Sequence, residues 1–255
     1  YVATDSYTDT HGTEIWCSLS GNAGSWSQVA NSGFGSPKSG YLSELIEFDG
    51  ALYAAVNNEA TGLEIWRTTT ATTCGSGWEA VVASSVDGDG SGSDESGFGN
   101  PDNTEFGSLT VFDNQLYAAI ENETTGGQIW RTGDGLTWSQ VVGNGFGDAN
   151  NEKVEALKVF GGQLYAVTEN KATGAEVWRS ANGTSWNDQV NIDGWGDSSN
   201  ESTFWSQAST VYNNGLYIGT WNWGSGGEIW YKAGEFTAVD SSVGDASSFA
   251  HSDGL

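Results

Sequence analysis

Apolar and polar residues alternate along this chain in short runs, and no stretch keeps a helical period. Leu52-Tyr53-Ala54-Ala55 is followed by Thr61-Gly62 and by Glu64-Ile65-Trp66-Arg67. The pattern returns as Leu116-Tyr117, Thr125-Gly126 and Ile129-Trp130-Arg131, and as Leu164-Tyr165, Thr173-Gly174 and Val177-Trp178-Arg179. A fourth copy is Leu216-Tyr217, Gly226 and Ile229-Trp230-Tyr231, and in all four the Tyr stands 13 residues before the Trp. A fifth copy opens the chain with Tyr1-Val2-Ala3-Thr4, Gly12 and Glu14-Ile15-Trp16. Each copy continues to a run with a further aromatic (Trp26, Trp78, Trp138, Trp186 or Phe236). Gly-aromatic-Gly turns follow at Gly33-Phe34-Gly35, Gly97-Phe98-Gly99, Gly145-Phe146-Gly147 and Gly194-Trp195-Gly196. Another apolar run, such as 108–112 or 156–160, then reaches a tight polar turn before the next Leu-Tyr.

Four short strands in a repeat of about 50 residues is the period of propeller blades. A lone four-stranded sheet leaves a face wet, whereas a blade between two neighbours buries both. The sequence therefore predicts an all-β fold, a five-bladed β-propeller with four antiparallel strands per blade. Its repeats run over 1–50, 51–114, 115–162, 163–214 and 215–255 in a single domain, 1–255. The tail 248–255 matches the segment 209–216 that precedes Tyr217, so Leu255 takes the place just before Tyr1. The C-terminal strand is thus expected to complete the N-terminal blade and close the ring. With strands A to D running from the inside out, the B–C and D–A loops share one face.

The C–D hairpins Thr132-Gly133-Asp134-Gly135-Leu136-Thr137-Trp138 and Ser180-Ala181-Asn182-Gly183-Thr184-Ser185-Trp186 resemble the Asp-box turn of sialidase-like propellers, shortened by one residue. In that family the turn is structural and lies opposite the catalytic face, so the resemblance implies no active site. The arginine cluster that sialidases use is missing: Arg67, Arg131 and Arg179 all fall at one repeated position. The full repeat resembles those of secreted bacterial and archaeal propellers, and its blade count is shared with tachylectin-like sugar-binding propellers.

Charge narrows the partners. Thirty-three acidic against 8 basic side chains give a net charge of −25, which argues against nucleic acid and against anionic membrane surfaces. Nor is there an apolar run long enough for a membrane helix. No leader is visible, and Tyr1 falls inside a repeat, as in a mature or trimmed chain. Abundant Gly, Ser, Thr and Asn, scarce Lys and absent Met suit a secreted or extracellular protein. Cys17 and Cys74 lie in neighbouring repeats and are either a disulfide or two free thiols. Sequons begin at Asn122, Asn182 and Asn200.

Four tryptophans break the repeat. Trp195 replaces Phe in its turn, Trp205 has no counterpart, and Trp221 and Trp223 stand where the preceding copy has Glu169 and Lys171. Exposed indoles are costly in water unless they meet something, such as a sugar ring, with Asn222 as a polar contact, or a protein partner. A cluster packing on itself is the alternative. Asp87, Asp89, Ser91 and Ser93 put oxygen ligands on alternate residues with Gly92 at the sixth position, as in the first half of a calcium loop. The closing Glu is replaced by Phe98, leaving Asp94 or Glu95 as substitutes; a solvated Asp/Gly/Ser loop is the other reading. His11 and His251 are too few for a transition-metal site. Glu44, Glu47, Glu105 and Glu155 lie on or near inner strands, where paired carboxylates serve as acid and base. The leading expectation is a secreted, non-catalytic propeller that binds a glycan or an extracellular surface partner through the B–C/D–A face. The alternatives are a carbohydrate-active enzyme with carboxylates at the channel mouth, and a structural or adhesive surface module.

Overall fold

The computed structural model describes residues 1–4, 12–36, 39–58, 61–83, 95–203, 208–233 and 236–240. Asp87, Asp89, Ser91, Ser93 and Asp94 of the candidate calcium loop, Trp205, His11, His251 and the closing tail lie outside the described residues.

The described chain is all-β, in five antiparallel sheets. The first has three strands, β1 (Val2–Thr4), β2 (Glu14–Cys17) and β3 (Ser27–Ala30), in the order β1-β2-β3. The second runs β4 (Ser39–Phe48), β5 (Ala51–Asn58), β6 (Glu64–Thr68) and β7 (Glu79–Val82); the third β8 (Phe106–Phe112), β9 (Gln115–Ile120), β10 (Gln128–Thr132) and β11 (Ser139–Val142). The fourth comprises β12 (Asn151–Phe160), β13 (Gln163–Asn170), β14 (Val177–Ser180) and β15 (Asp188–Gln189), and the fifth β16 (Ser209–Tyr212), β17 (Gly215–Gly219), β18 (Ile229–Lys232) and β19 (Phe236–Asp240). Each sheet is an up-and-down meander, the strand order of a propeller blade. The A–B turns Asp49-Gly50, Asp113-Asn114, Gly161-Gly162 and Asn213-Asn214 have both central residues at positive φ. That is the two-residue hairpin geometry whose twist matches the strands it joins.

The chain divides into two compact units, 1–117 with 131–139, and 118–130 with 140–255. In the first unit, Ile15, Cys17, Val29, Ala54 and Val56 form a core between the first two sheets, bordered by Phe34, Trp66 and Trp78. A disulfide joins Cys17 to Cys74 across 57 residues, with Cα atoms 5.6 Å apart. In the second unit, Ala156, Tyr165, Val167, Val177, Leu216 and Ile218 form the core between the fourth and fifth sheets.

The repeated motif residues have distinct jobs. The indole N–H two residues after each Glu or Gln of the C strand donates to that side chain: Trp16 to Glu14, Trp66 to Glu64, Trp130 to Gln128, Trp178 to Glu176 and Trp230 to Glu228. The indole faces then receive the turn aromatic of the preceding repeat. Phe34 stacks on Trp66 at 4.9 Å, Phe146 on Trp178 at 4.9 Å and Trp195 on Trp230 at 5.2 Å. The D-strand Trp closes the edge, as Trp78 does against Phe34 and Trp186 against Phe146. Phe34, Phe98, Phe146 and Trp195 all sit at φ of 54–61°, a left-handed conformation that bulky residues avoid. Asparagines fasten these turns: Asn103, Asn151 and Asn200 each donate through Nδ2 to the carbonyl of the first turn glycine, Gly97, Gly145 and Gly194.

Candidate functional site

The inner strand β12 carries a register shift against β13 between Val154 and Ala156, which sets Glu155 at a bulge in the ladder. A bulge re-aims the side chain it holds. The same shift in β4 falls on Ser43, so at this repeated place the fourth sheet has a carboxyl where the second has a hydroxyl. Glu155 is 2% exposed. Its Oε2 accepts from the backbone N–H of Thr203 at 3.2 Å and from Thr203 Oγ1 at 2.8 Å. Burial pushes its carboxyl up to about 7; Lys153 and Thr203 pull the other way, and the charge and hydrogen bond of Glu169 add to the rise.

The ladder around this bulge sets a row of charges. Lys153 pairs in register with Glu169 on β13, and on its other side it forms an isolated antiparallel bridge with Glu121, just past the end of β9. Cross-strand neighbours point to the same side of a sheet, so Glu121 and Glu169 flank one ammonium. Lys153 is 5% exposed and its Nζ lies 3.5 Å from Glu121 Oε2. Glu169 Oε1 also meets Lys171 Nζ at 2.6 Å, and Lys171 reaches Glu152 Oε2 at 2.9 Å, which pushes the Lys171 ammonium further up. Glu155 and Glu169 thus meet at one place, where burial holds the Glu155 proton up to about 7, and Lys153 ties Glu121 to the neighbouring rung. Two carboxyl groups in unlike surroundings, one buried and one ion-paired, differ in how readily they hold a proton.

The row continues into the next repeat. The Asn170 N–H donates to the Glu201 carbonyl as the Asn122 N–H does to that of Glu152, and Ser202 bridges to Trp221, whose N–H donates to the Ser202 carbonyl at 2.7 Å. Thr203, the residue that holds Glu155, therefore adjoins the partner of Trp221.

The sequence-predicted residues separate. Trp221 and Trp223 meet edge to face at 4.8 Å, and Trp223 is 83% exposed. Trp195 does not present its face with them; it is half-buried, flat on Trp230 and packed against the core. Asn222 is corrected from a ligand contact to a turn residue. It is buried, its Oδ1 accepts from the N–H groups of Gly224 and Ser225, and its Nδ2 donates to Asp197 and Asn200. Asp197 is held below the usual carboxylate range by the Ser199 N–H and by Asn222.

Two of the sequons are occupied by the fold. Asn122 and Asn200 are 0% exposed; Asn122 Oδ1 accepts from the N–H groups of Thr124 and Thr125, and Asn200 clamps Gly194. A glycan has no room at either position in the folded chain, whereas Asn182 lies exposed on its hairpin. Glu95 is the one residue of the proposed calcium set that is described, and it is buried. Among the described residues no group of three or more His, Cys, Asp or Glu side chains is arranged to hold a metal ion. Among them, too, no helix is long and apolar enough to cross a membrane.

Of the inner-strand carboxylates, Glu155 stands in the site, while Glu44 accepts from the Leu109 N–H at 2.6 Å and ties β4 to β8. Glu121, Lys153 and Glu169 escaped the sequence reading, because only the bulge and the cross-repeat bridge bring them to Glu155.

No family model and no curated protein sequence matches the chain. Solved structures do. A prolyl endopeptidase aligns over 89% of this chain with a TM-score of 0.54 and 8% identity, and the chain spans 30% of that protein's length. An α-L-arabinofuranosidase from Podospora anserina in complex with cellotriose aligns over 80% of this chain and 69% of its own, with a TM-score of 0.46 and 10% identity. An α-L-arabinofuranosidase from Clostridium thermocellum aligns over 77% and 71%, with a TM-score of 0.45 and 12% identity. At these identities the likeness is one of fold. The expectation of a non-catalytic binding propeller is corrected to the extent that these neighbours are named as enzymes and not as binding modules.

Proposed function

We propose that this chain is a carbohydrate-active hydrolase that cleaves a glycosidic bond with Glu155 as proton donor and Glu121 as the opposing carboxylate. The observation that carries the reading is the buried Glu155 carboxyl, pushed up to about 7 beside an ion-paired Glu121–Lys153. A general acid must hold its proton at working pH and release it to the leaving oxygen. Burial supplies the first property, and the Glu155 proton is held in a hydrogen bond to Glu169 until the leaving oxygen takes it; the proton is replaced from solvent after hydrolysis. Lys153 keeps the opposing carboxylate charged, as a base or a nucleophile requires. Glu121 and Glu169 stand two strand spacings apart, roughly 10 Å at the backbone, with Lys153 between them. An inverting hydrolysis, which we propose, needs about 6.5–9.5 Å between Glu155 and Glu121 to leave room for a water.

The sheets are proposed to be the blades of a closed five-bladed propeller. The first sheet has three described strands where the others have four, with β1 at its edge, and the tail 248–255 has the sequence of a strand that pairs there. The disulfide supports an oxidising, extracellular setting.

The test is release of aryl aglycone from a panel of neutral pyranosides and furanosides, the α-L-arabinofuranoside included. Glu155→Gln should lower kcat on the active member at least about 100-fold, the scale of general acid catalysis. Glu121→Gln should lower it comparably. Wild-type protein inert on the whole panel and on neutral polysaccharides, or Glu155→Gln with undiminished kcat, would overturn the assignment.

A further inference from the structure

We infer that the Trp221–Trp223 hairpin is a sugar-stacking subsite continuous with the Glu155 cluster, so that the substrate is a neutral oligo- or polysaccharide and not a single glycosyl unit; this rests on the hydrolase reading. The comparison that carries it lies within the molecule. In the fourth sheet, Glu169 near the end of β13 and Lys171 just beyond it pair at 2.6 Å, and Lys171 also reaches Glu152. In the fifth, the same two positions are Trp221 and Trp223. Two indoles stand in place of this ion pair, and the outer one, Trp223, is 83% exposed.

That exposure is built, not incidental. Asn222, between the two indoles, fixes the loop from below through the N–H groups of Gly224 and Ser225, Asp197 Oδ2 at 3.0 Å and Asn200 Oδ1 at 3.1 Å. Trp221 braces the ring of Trp223 edge-on at 83°. A platform held in place before its ligand arrives loses little freedom on binding. Its position relates it to the acid. The Trp221 backbone is bonded to Ser202, and the next residue, Thr203, bonds Glu155, so the segment Ser202-Thr203 links the hairpin to the acid. A saccharide whose scissile bond lies at Glu155 extends along this row onto Trp223. Flat, apolar sugar faces suit an indole, and a neutral chain avoids the repulsion that a charge of −25 imposes on anions.

Trp223→Ala tests this without disturbing the fold, because the side chain is exposed; its melting temperature should match wild type. On wild type and Trp223→Ala, kcat/KM is measured for a neutral polysaccharide and for the aryl glycoside of the same sugar. The polysaccharide-to-aryl-glycoside ratio should fall about tenfold, the equivalent of about 1.4 kcal/mol of lost contact. In parallel, Glu155→Gln is run in native gels containing the polysaccharide. Retardation that is lost in Glu155→Gln/Trp223→Ala supports the subsite even where no hydrolysis occurs, an outcome that removes the hydrolase and keeps the platform. Hydrolysis with an unchanged ratio removes the platform and keeps the hydrolase. Retardation that Trp223→Ala leaves intact, or absent from every neutral polysaccharide tried, overturns the subsite; a platform for a protein partner would behave in that way.

Discussion

Replacing Glu155 by glutamine should stabilise the protein at alkaline pH and leave it nearly unchanged in acid. The folded chain holds this carboxyl at about 7 against an ordinary value of 4.5. Between those two values the unfolded chain has given up a proton that the folded chain still binds, so stability falls as pH rises. The contribution is fully present below pH 4.5 and lost once the pH passes about 7. The gap corresponds to about 3 kcal/mol, reached by about pH 8. Glutamine is the neutral isostere: it can still accept from the Thr203 N–H and offers Glu169 a donor, but it has no proton to lose. Urea unfolding of wild type and Glu155→Gln at about pH 5, 6, 7 and 8 measures the difference directly. The expected result is an advantage for Glu155→Gln that stays below about 1 kcal/mol at about pH 5 and grows to about 3 kcal/mol at about pH 8, with unchanged m-values. Parallel pH profiles would mean that Glu155 ionises in the fold at little cost. The general-acid assignment would fall with that result, since burial of the same proton underlies both.

Three further outcomes follow from the fold. Breaking the Cys17–Cys74 link by Ser substitution at both positions should cost about 4 kcal/mol, the chain-entropy value for a closed loop of 57 residues, read as a lower urea midpoint. Gly174→Ala should cost at least about 2 kcal/mol, because a Cβ there meets the Gly194 Cα at 2.6 Å and φ is +99°; Gly161→Ala, at φ +57° with open space around it, should cost about 1 kcal/mol in the same melts. Expression in a glycosylating host should add one glycan at Asn182 and none at Asn122 or Asn200, so that Asn182→Gln returns the intact mass to that of the bare chain.

Strands were legible because their signals are local. Leu-Tyr, Glu-Ile-Trp and the polar two-residue turns each specify a strand or a hairpin within a few residues, and repetition confirmed the register. The C-strand Trp was legible as core but not as a hydrogen-bond donor, although the Glu or Gln two residues before it is present in every copy. Asn200 was read only as a sequon for a similar reason: a local tripeptide outweighed a longer period. Asn103, Asn151 and Asn200 each fall six residues after the first glycine of a turn, and that spacing marks the turn clamp.

The candidate site was hidden for a different physical reason. Glu155 was one acidic residue among 33, and nothing in a strand pattern announces a bulge. Side-chain alternation would place Glu155 opposite its two neighbours along β12, whereas the register shift between Val154 and Ala156 breaks the alternation there. Its surroundings come from two further places, Glu169 across the ladder and Glu121, which an isolated bridge from the preceding sheet joins to Lys153. A repeat makes such a place findable by comparison, not by motif. The position that holds Ser43 in one copy holds Glu155 in another, and the position that holds Asn57 in one copy holds Glu121, Glu169 and Trp221 in the next three. The Asn57 side chain accepts the Phe106 N–H at 3.0 Å, much as Glu155 accepts that of Thr203, so a task shared by these neighbouring places is to cap a backbone donor of the following repeat. A neutral amide performs that task without the cost of burying an ionisable group. Retaining a carboxyl there, next to a second carboxyl and a buried lysine, lowers stability near neutral pH, and a sequence free to drift would shed it. In a scaffold whose copies otherwise agree, the positions where one copy alone accepts an energetic penalty are where chemistry is to be sought, and here they adjoin the one loop in which two charges became two indoles.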